Sequence, residues 1–206
     1  MEFDPIVVIQ KLIDDKKLFV SERHMQVEFI LTAKKCFPNC KFIPEYVFKA
    51  DDNTYHIDLM VEEDGNYIAF EFKYVVAGGI ISVPGDPEYT LRNHSALPAR
   101  RYQCVRDIAR LETYKRNKKC VEGYFLLITN MKAFWEPDSG RGQMGNDFIL
   151  SDNCDLKAGS HKYDESFKVG QQCEEIITEN NYHLEYKEYL LISQKNGLFK
   201  YLLVKI

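Results

Sequence analysis

Alternation of apolar and polar residues predicts two β-strands in the first half of the chain. Residues 55–61 and 67–74 each place apolar side chains at every second position, and both runs are rich in aromatic and β-branched residues. Between them lies Asp64-Gly65, a strong signal for a two-residue hairpin turn, because both central residues of such a turn need a positive φ. The pattern therefore predicts an antiparallel hairpin.

Apolar residues at helical spacing predict three helices around this hairpin. They cover residues 5–19, 21–37 and 99–119, and Ser21 is placed as the N-cap of the second helix. Further apolar runs predict strands over residues 41–49, 123–130, 186–193 and 198–204.

The order of these elements predicts a fold class. The helix over residues 99–119 stands between two strands, and a strand–helix–strand unit favours parallel pairing of the strands that it joins. We therefore expect an α/β protein with a central mixed β-sheet flanked by helices, forming one domain over residues 1–206. Its core is expected at about residues 20–135, with a C-terminal strand extension over residues 148–206.

Two stretches rich in glycine, proline and polar residues predict loops. Residues 75–98 are long enough to handle a substrate, because most connections in compact domains are much shorter. Residues 136–147 contain GRGQMG, which lacks the Gly-Lys-Ser/Thr ending of a phosphate-binding loop. A mobile loop is expected there.

The predicted hairpin brings two acidic residues together. With Asp64 and Gly65 as the loop, Asp58 lies directly opposite Glu71, and like charges in that position destabilise a strand pair. A divalent cation offers a reason for the arrangement, since Mg²⁺ is usually held by one or two carboxylates. Lys73 projects from the same face as Glu71, beside the expected metal. The alternative is a solvated sheet face, which also has polar residues at alternate positions.

Asp58 on one strand and Glu71-Phe72-Lys73 on the next resemble the bipartite signature of the PD-(D/E)XK nuclease superfamily. Ile57 stands where this superfamily often has proline. The helix, apolar strand and terminal strand that follow also resemble a group of uncharacterised bacterial proteins. The resemblance covers residues 20–135 well and the C-terminus loosely, and it implies a restriction-endonuclease-like fold.

The resemblance also implies metal-dependent hydrolysis of phosphodiester bonds. Asp58 and Glu71 are expected to hold Mg²⁺, or Mn²⁺ in its place, with help from the Phe72 carbonyl oxygen. Glu45 is a further candidate ligand. Lys73 is expected to orient the attacking water or to stabilise the negative charge that develops on the phosphate.

Three other polar residues are candidates for the same site. The superfamily commonly has an acidic residue on a helix before the sheet, which implies a role for Glu28 as a second-metal ligand or proton acceptor. The alternative for Glu28 is an exposed helix residue. Gln103 is matched to the polar residue that the superfamily's next helix offers to the site. His56, predicted opposite Lys73, is either a general base or a packed strand histidine. The other residues on the helix face of Gln103 are Asp107, Arg110 and Tyr114.

Charge is distributed unevenly along the chain. The formal net charge is −4, which argues mildly against a nucleic-acid binder. Between Arg92 and Lys119, however, there are nine basic residues and two acidic ones, and such an excess suits a phosphate backbone. The alternative is a solvated helix face. The residues expected to bind nucleic acid are Arg100, Arg101, Arg106 and Arg110.

Composition suggests a compartment and leaves two functions open. Six cysteines without a secretory signal indicate reduced thiols in the cytoplasm. No apolar run approaches the roughly 20 residues that span a membrane, so no membrane partner is expected. The predicted function is a metal-dependent nuclease acting on DNA in preference to RNA, with a homodimer as one expected form. The alternative is a non-catalytic nucleic-acid-binding or assembly module with a remnant nuclease site, for example in a defence system.

Overall fold

A six-stranded mixed β-sheet forms the centre of the structure, a computed structural model that describes residues 2–50, 53–83, 88–117, 119–137, 146–163 and 173–206. The helices in these ranges are α1 (Pro5–Asp14), α2 (Glu22–Cys36) and α3 (Leu97–Arg116), with 3₁₀ turns at Lys132–Phe134 and Asn146–Phe148. None of these helices is long and apolar enough to cross a membrane. The strands are β1 (Lys41–Ala50), β2 (Asn53–Glu63), β3 (Asn66–Val75), β4 (Gly79–Ile81), β5 (Tyr89–Leu91), β6 (Glu122–Thr129), β7 (Cys154–Leu156), β8 (Gly159–His161), β9 (Ile176–Thr178), β10 (Tyr182–Leu184), β11 (Tyr186–Leu191) and β12 (Leu198–Lys205).

The central sheet has the strand order β1-β2-β3-β6-β12-β11. β3 and β6 run parallel, whereas the other neighbouring strands run antiparallel. Because α3 lies between β3 and β6 in the chain, these elements form the strand–helix–strand unit that the sequence predicts. The prediction of an α/β fold with a central mixed sheet is confirmed. The last strand, β12, pairs with β6 inside this sheet.

Alternate residues of β3 pack against different helices. Phe72 belongs to a hydrophobic cluster with α1 and α2, and its ring centroid lies 5.1 Å from that of Phe29 on α2. Val75 belongs to a second cluster that includes the apolar side of α3. Successive side chains of a strand point to opposite faces. Glu71 and Lys73 therefore point, like Val75, toward α3.

The β2–β3 hairpin has the predicted turn. Residues 64 and 65 have φ of 51° and 78°, as a turn with two left-handed residues requires. The strands pair in the predicted register from this turn to Leu59 and Phe70. The ladder ends there, one step before Asp58 and Glu71. These two residues therefore do not form the directly opposed ladder pair that the sequence predicts.

The first helix is shorter than the sequence predicts. α1 ends at Asp14 rather than at Phe19, because Lys16 adopts a left-handed φ of 51°, which an α-helix cannot accommodate. The second helix begins where it is predicted to begin. The hydroxyl of Ser21 accepts a hydrogen bond of 3.1 Å from the backbone N–H of His24 and caps α2.

Small two-stranded sheets occupy regions in which the sequence predicts loops or has weak periodicity. β4 pairs with β5 inside the predicted loop at residues 75–98, of which residues 84–87 lie outside the described part of the chain. β7 pairs with β10, and β8 pairs with β9. Most of the predicted loop at residues 136–147 falls on residues 138–145, which also lie outside the described part.

Replacing Gly197 with alanine is expected to lower the free energy of unfolding by about 1–3 kcal/mol. A Cβ atom at this position would collide with the backbone carbonyl oxygen of Ile192, which cannot move aside without distorting the β11–β12 hairpin. In the predicted Asn-Gly turn, it is Asn196 that has the positive φ, 58°. Glycine is thus required by close approach of the backbone. Urea denaturation followed by circular dichroism tests this, and a change below about 0.5 kcal/mol would contradict it.

Candidate active site

The Asp58 carboxylate lies where β2 and β3 separate. Its Oδ2 accepts a hydrogen bond of 2.7 Å from the backbone N–H of Phe72. This bond occupies a backbone donor that a continuous antiparallel ladder would use, which explains why the strand pairing ends at Leu59. Burial raises the pKa of Asp58, and the Phe72 N–H and the Lys73 ammonium oppose that shift without cancelling it.

Glu71 is fully buried on the α3 side of β3. Its Oε2 accepts a hydrogen bond of 2.7 Å from the Arg110 guanidinium, whereas its Oε1 has no hydrogen-bond partner among the described residues. Burial raises the pKa of Glu71 well above its ordinary value, although the charge of Arg110 acts in the opposite direction. A buried acceptor without a partner is costly unless a cation or a proton is bound to it.

Lys73 is a buried cation held by acidic partners, and only 12% of its side chain is exposed. Its ammonium lies 2.8 Å from Asp107 Oδ2 and 3.7 Å from Glu22 Oε1, and it donates a hydrogen bond of 3.1 Å to the Phe72 carbonyl oxygen. Burial lowers the pKa of Lys73, but the negative charges of Asp107 and Glu22 outweigh burial, so that the pKa is raised overall. Lys73 is therefore protonated at neutral pH.

Asp107 of α3 joins the two cations of the site. It is fully buried, and its Oδ1 accepts a hydrogen bond of 2.8 Å from Arg110 while its Oδ2 faces Lys73. The helical spacing places Asp107 on the same face as Gln103, but no role is predicted for it from the sequence. The signal that could have identified it is an isolated acidic residue in a basic helix, on the face that follows the E-x-K strand.

Glu22, at the start of α2, is the second acidic residue of the site that is not predicted from the sequence. Its Oε2 accepts a hydrogen bond of 3.0 Å from the backbone N–H of Tyr74, which places the carboxylate beside Lys73. Burial raises the pKa of Glu22, against the opposing charge of Lys73. Helical spacing distinguishes Glu22 from Glu28, because Glu22 lies three and seven residues before the buried Met25 and Phe29, whereas Glu28 lies on the flank of that buried stripe.

The other two predicted carboxylates, Glu28 and Glu45, differ in their positions relative to the site. Glu28 is paired with Lys17 at 3.1 Å and lies 3.9 Å from His24, so its contacts are with the segments before and within α2. Glu45 is exposed on β1 and has a left-handed φ of 52°, and it stands across from Asp58, between the ladder pairs Pro44–Leu59 and Tyr46–Ile57. The described hydrogen bonds and ion pairs link neither residue to Asp58 or Glu71. The helix carboxylate that reaches the site is Glu22.

The four predicted nucleic-acid-binding arginines have different environments. Arg110 is turned into the site, and Arg101 is buried and donates a hydrogen bond to the Ala133 carbonyl oxygen. Arg100 donates a hydrogen bond of 3.0 Å to Gln103, so the described partner of Gln103 is an arginine of its own helix. Arg106 is half-exposed. The four side chains therefore do not form one continuous exposed surface.

His56 is neither packed nor opposite Lys73. It is exposed on β2, where it pairs with Val47 of β1. The β2–β3 ladder, which would have placed it opposite Lys73, ends before it reaches this position. The alternative of a packed strand histidine is wrong because this end of β2 projects beyond its pairing with β3.

The site contains more acidic than basic groups. Four carboxylates surround two cations, which leaves an excess of two negative charges when every group is ionised. Buried like charges are unfavourable unless a further cation or proton balances them. Burial raises the pKa values of Glu22, Asp58 and Glu71, and the neighbouring carboxylates add to the shift. The groups are Glu22, Asp58, Glu71, Asp107, Lys73 and Arg110.

The oxygen atoms of this site fit Mg²⁺ in type. Mg²⁺ takes oxygen ligands and is commonly held by only one or two carboxylates. Asp58 and Glu71 supply such carboxylates, and the Glu71 Oε1 atom has no other partner among the described residues. The described ranges contain no group of three or more His, Cys, Asp or Glu side chains placed to hold a metal ion. A cation at this site would therefore depend on two carboxylates and a backbone carbonyl.

In three comparisons, no family model, curated protein or solved structure matches the chain. A function therefore has to be inferred from the contacts of the site itself. Those contacts bring two carboxylates and a protonated lysine together at the end of the β2–β3 ladder, against one face of α3.

Proposed function

We propose that the chain is a metal-dependent nuclease that hydrolyses phosphodiester bonds in DNA, or in RNA. One observation carries the proposal. Asp58, Glu71 and Lys73 come together on the α3 side of the sheet, and a buried oxygen of Glu71 is left without a partner in the described chain. The position of this site, at the hairpin that precedes a parallel strand–helix–strand unit, also supports a restriction-endonuclease-like fold as part of the proposal.

Asp58, Glu71 and the Phe72 carbonyl oxygen would hold Mg²⁺, with Mn²⁺ able to replace it. When bound, the ion supplies a Lewis acid that polarises a phosphoryl oxygen and neutralises developing charge. Arg110 holds one oxygen of Glu71 at 2.7 Å and thereby fixes the orientation of the carboxylate. The Phe72 N–H fixes Asp58 in the same way.

Lys73 would supply positive charge to the reacting phosphate. A lysine whose pKa is raised stays protonated and cannot act as a general base, so stabilising the negative charge of the phosphate is the role that its environment supports. Asp107 and Glu22 are positioning residues in this proposal, because they hold the ammonium group from α3 and α2. The exposed guanidinium of Arg106 on α3 supports a nucleic-acid substrate.

A non-catalytic nucleic-acid-binding module is the second candidate. The observation that favours it is the ion pair between Arg110 and Glu71, which neutralises the carboxylate that a metal ion would need. In that case the acidic and basic groups would only hold α3 against the sheet. Metal binding and cleavage separate the two candidates.

The test is incubation with plasmid, linear duplex, single-stranded DNA and RNA in Mg²⁺ or Mn²⁺, with EDTA as the metal-free control. We expect cleavage of at least one substrate that stops on addition of EDTA, and binding of Mn²⁺ detected by calorimetry. Absence of both cleavage and Mn²⁺ binding would refute the nuclease. Retained nucleic-acid binding in that outcome would establish the binding module.

Replacing Asp58 with asparagine is expected to abolish Mn²⁺ binding and to raise the free energy of unfolding by about 0.5–2 kcal/mol. The asparagine Oδ1 can still accept the Phe72 N–H, while one negative charge is removed from a site with excess acid. Asp155→Asn is the matched control, since Asp155 is exposed on β7. Calorimetry and urea denaturation measure the two effects. A less stable protein that still binds Mn²⁺ would assign Asp58 a structural role.

A further inference from the structure

A recess of about 450 Å³ adjoins the candidate active site. One wall is a single face of α3, whose lining residues recur at helical spacing, and the rest is formed by Tyr55 of β2 and by residues 174–177. Arg110 belongs both to this α3 recess and to the candidate site, because its guanidinium holds Glu71. The α3 residues that line the recess are Tyr102, Arg106, Ala109, Arg110 and Thr113.

Two tyrosine rings give the α3 recess flat, partly exposed surfaces. Tyr102 is braced by Phe148 and Tyr163, whose ring centroids lie 5.5 Å and 6.3 Å from its own. Tyr55 stacks on Phe48 at 5.3 Å. Rings that are already held by packing lose little freedom when a ligand stacks on them. Such surfaces suit a nucleobase, since every base has an aromatic face.

Positive charge lies beside these rings. The Arg106 side chain is 51% exposed and lies 3.9 Å from Asp107, which is a loose contact that leaves its guanidinium accessible to a phosphate. The opposite wall contains Ile177, which is 66% exposed and apolar. Glu174 and Glu175 line the same wall and disfavour a long run of phosphates. The combination fits one nucleotide better than an extended backbone.

We infer that the α3 recess binds one unpaired nucleotide of the substrate, with the base against Tyr102 and the phosphate at Arg106. The inference rests on the proposed nuclease function, and it specifies the substrate as single-stranded or locally opened nucleic acid. In a duplex each base already stacks on its neighbours, so its face is not free for a protein ring. Because Arg110 joins the recess to Glu71, a nucleotide in the recess places its neighbouring phosphodiester toward the candidate site.

Binding in EDTA tests the inference without cleavage. Fluorescence anisotropy compares labelled single strands of DNA and RNA with a duplex of the same length. We expect a single strand to bind at least about tenfold more tightly than the duplex, because it can place a base on the tyrosines. The strand that binds more tightly, DNA or RNA, identifies the nucleic acid from which the bound nucleotide comes. Tighter binding of the duplex would overturn the inference.

Substitutions in the recess distinguish the contribution of base stacking from that of phosphate binding. Tyr102→Ala is expected to weaken single-strand binding about tenfold or more, whereas Tyr102→Phe, which keeps the ring, should bind like the wild type. Arg106→Gln should weaken binding and lower the slope of log affinity against log salt by about one. Single-strand affinity that is unchanged in Tyr102→Ala would overturn the inference.

A second pair of variants avoids the risk that a core substitution disturbs folding. Ile177 lies in the recess and is 66% exposed, and Leu191 lies on β11 outside it and is 64% exposed. Aspartate at either position adds the same charge to a similarly exposed site. Ile177→Asp is expected to weaken single-strand binding, and Leu191→Asp is expected to leave it unchanged. Equal effects of the two variants would count against the recess.

The nuclease proposal and the recess proposal fail in different ways. Single-strand binding in EDTA that depends on Tyr102, together with absence of both cleavage and Mn²⁺ binding, overturns the nuclease and keeps the recess. Metal-dependent cleavage, together with binding that is insensitive to Tyr102, Arg106 and Ile177, overturns the recess and keeps the nuclease.

Discussion

Replacing Lys73 with methionine will lower the rate of nucleic-acid cleavage by about a hundredfold or more. The ammonium group of Lys73 is buried, protonated and held at 2.8 Å by Asp107, so it is already oriented before the substrate binds. A preorganised charge in a buried site stabilises a transition state far more than the same charge in water. Methionine has a similar length and packs in a similar space, but it carries no charge.

The control for this prediction is Lys41→Met, which removes an exposed lysine that pairs with Glu62. It should leave cleavage unchanged, because exposed ion pairs contribute little. Both rates are measured under single-turnover conditions in Mg²⁺, with circular dichroism to verify folding. Cleavage that persists in a folded Lys73→Met protein would show that Lys73 only holds α3 against the sheet. Loss of cleavage with retained Mn²⁺ binding would show that Lys73 acts on the reacting phosphate and not on metal binding.

Replacing Glu112 with alanine will lower the free energy of unfolding by about 3 kcal/mol or more. The Glu112 carboxylate is buried and accepts four hydrogen bonds. Its Oε2 accepts the Glu179 N–H at 2.8 Å, and its Oε1 accepts the Asn180 N–H at 2.9 Å, the Asn180 side-chain amide at 3.0 Å and the Tyr182 hydroxyl at 2.7 Å. Alanine would leave these donors without the acceptor that they share.

Glu112→Gln provides a graded control, because it keeps one oxygen acceptor and the length of the side chain. Its cost should be clearly smaller than that of Glu112→Ala in urea denaturation. A loss below about 1 kcal/mol for alanine would show that water replaces the carboxylate easily. The hydrogen bonds of Glu112 also hold α3 against the segment between β9 and β10, which lies next to the α3 recess. Loosening this contact should weaken nucleotide binding in the α3 recess as well.

Much of the sheet and three residues of the site follow from patterns with a short range in sequence. A period of two, a two-residue turn and an N-cap each depend on neighbours within a few positions, which is why the β2–β3 hairpin and the start of α2 were predictable. The same alternation puts Glu71 and Lys73 on the face opposite Phe72. The end of the β2–β3 ladder was not predictable, because it depends on the carboxylate of Asp58 taking the Phe72 N–H.

The amino-acid order alone was therefore enough to establish the α/β class and to bring the acidic residues and the lysine to one side of the sheet. The partners of these residues are determined only when the chain folds. Arg110 reaches Glu71 across 39 positions of the chain, and Glu22 reaches the backbone of Tyr74 across 52. Contacts between residues so far apart in the chain depend on how α2 and α3 are positioned against the sheet. The packing of the whole apolar core sets those positions. For that reason the buried charges around Lys73, and the recess beside them, became visible in the folded chain.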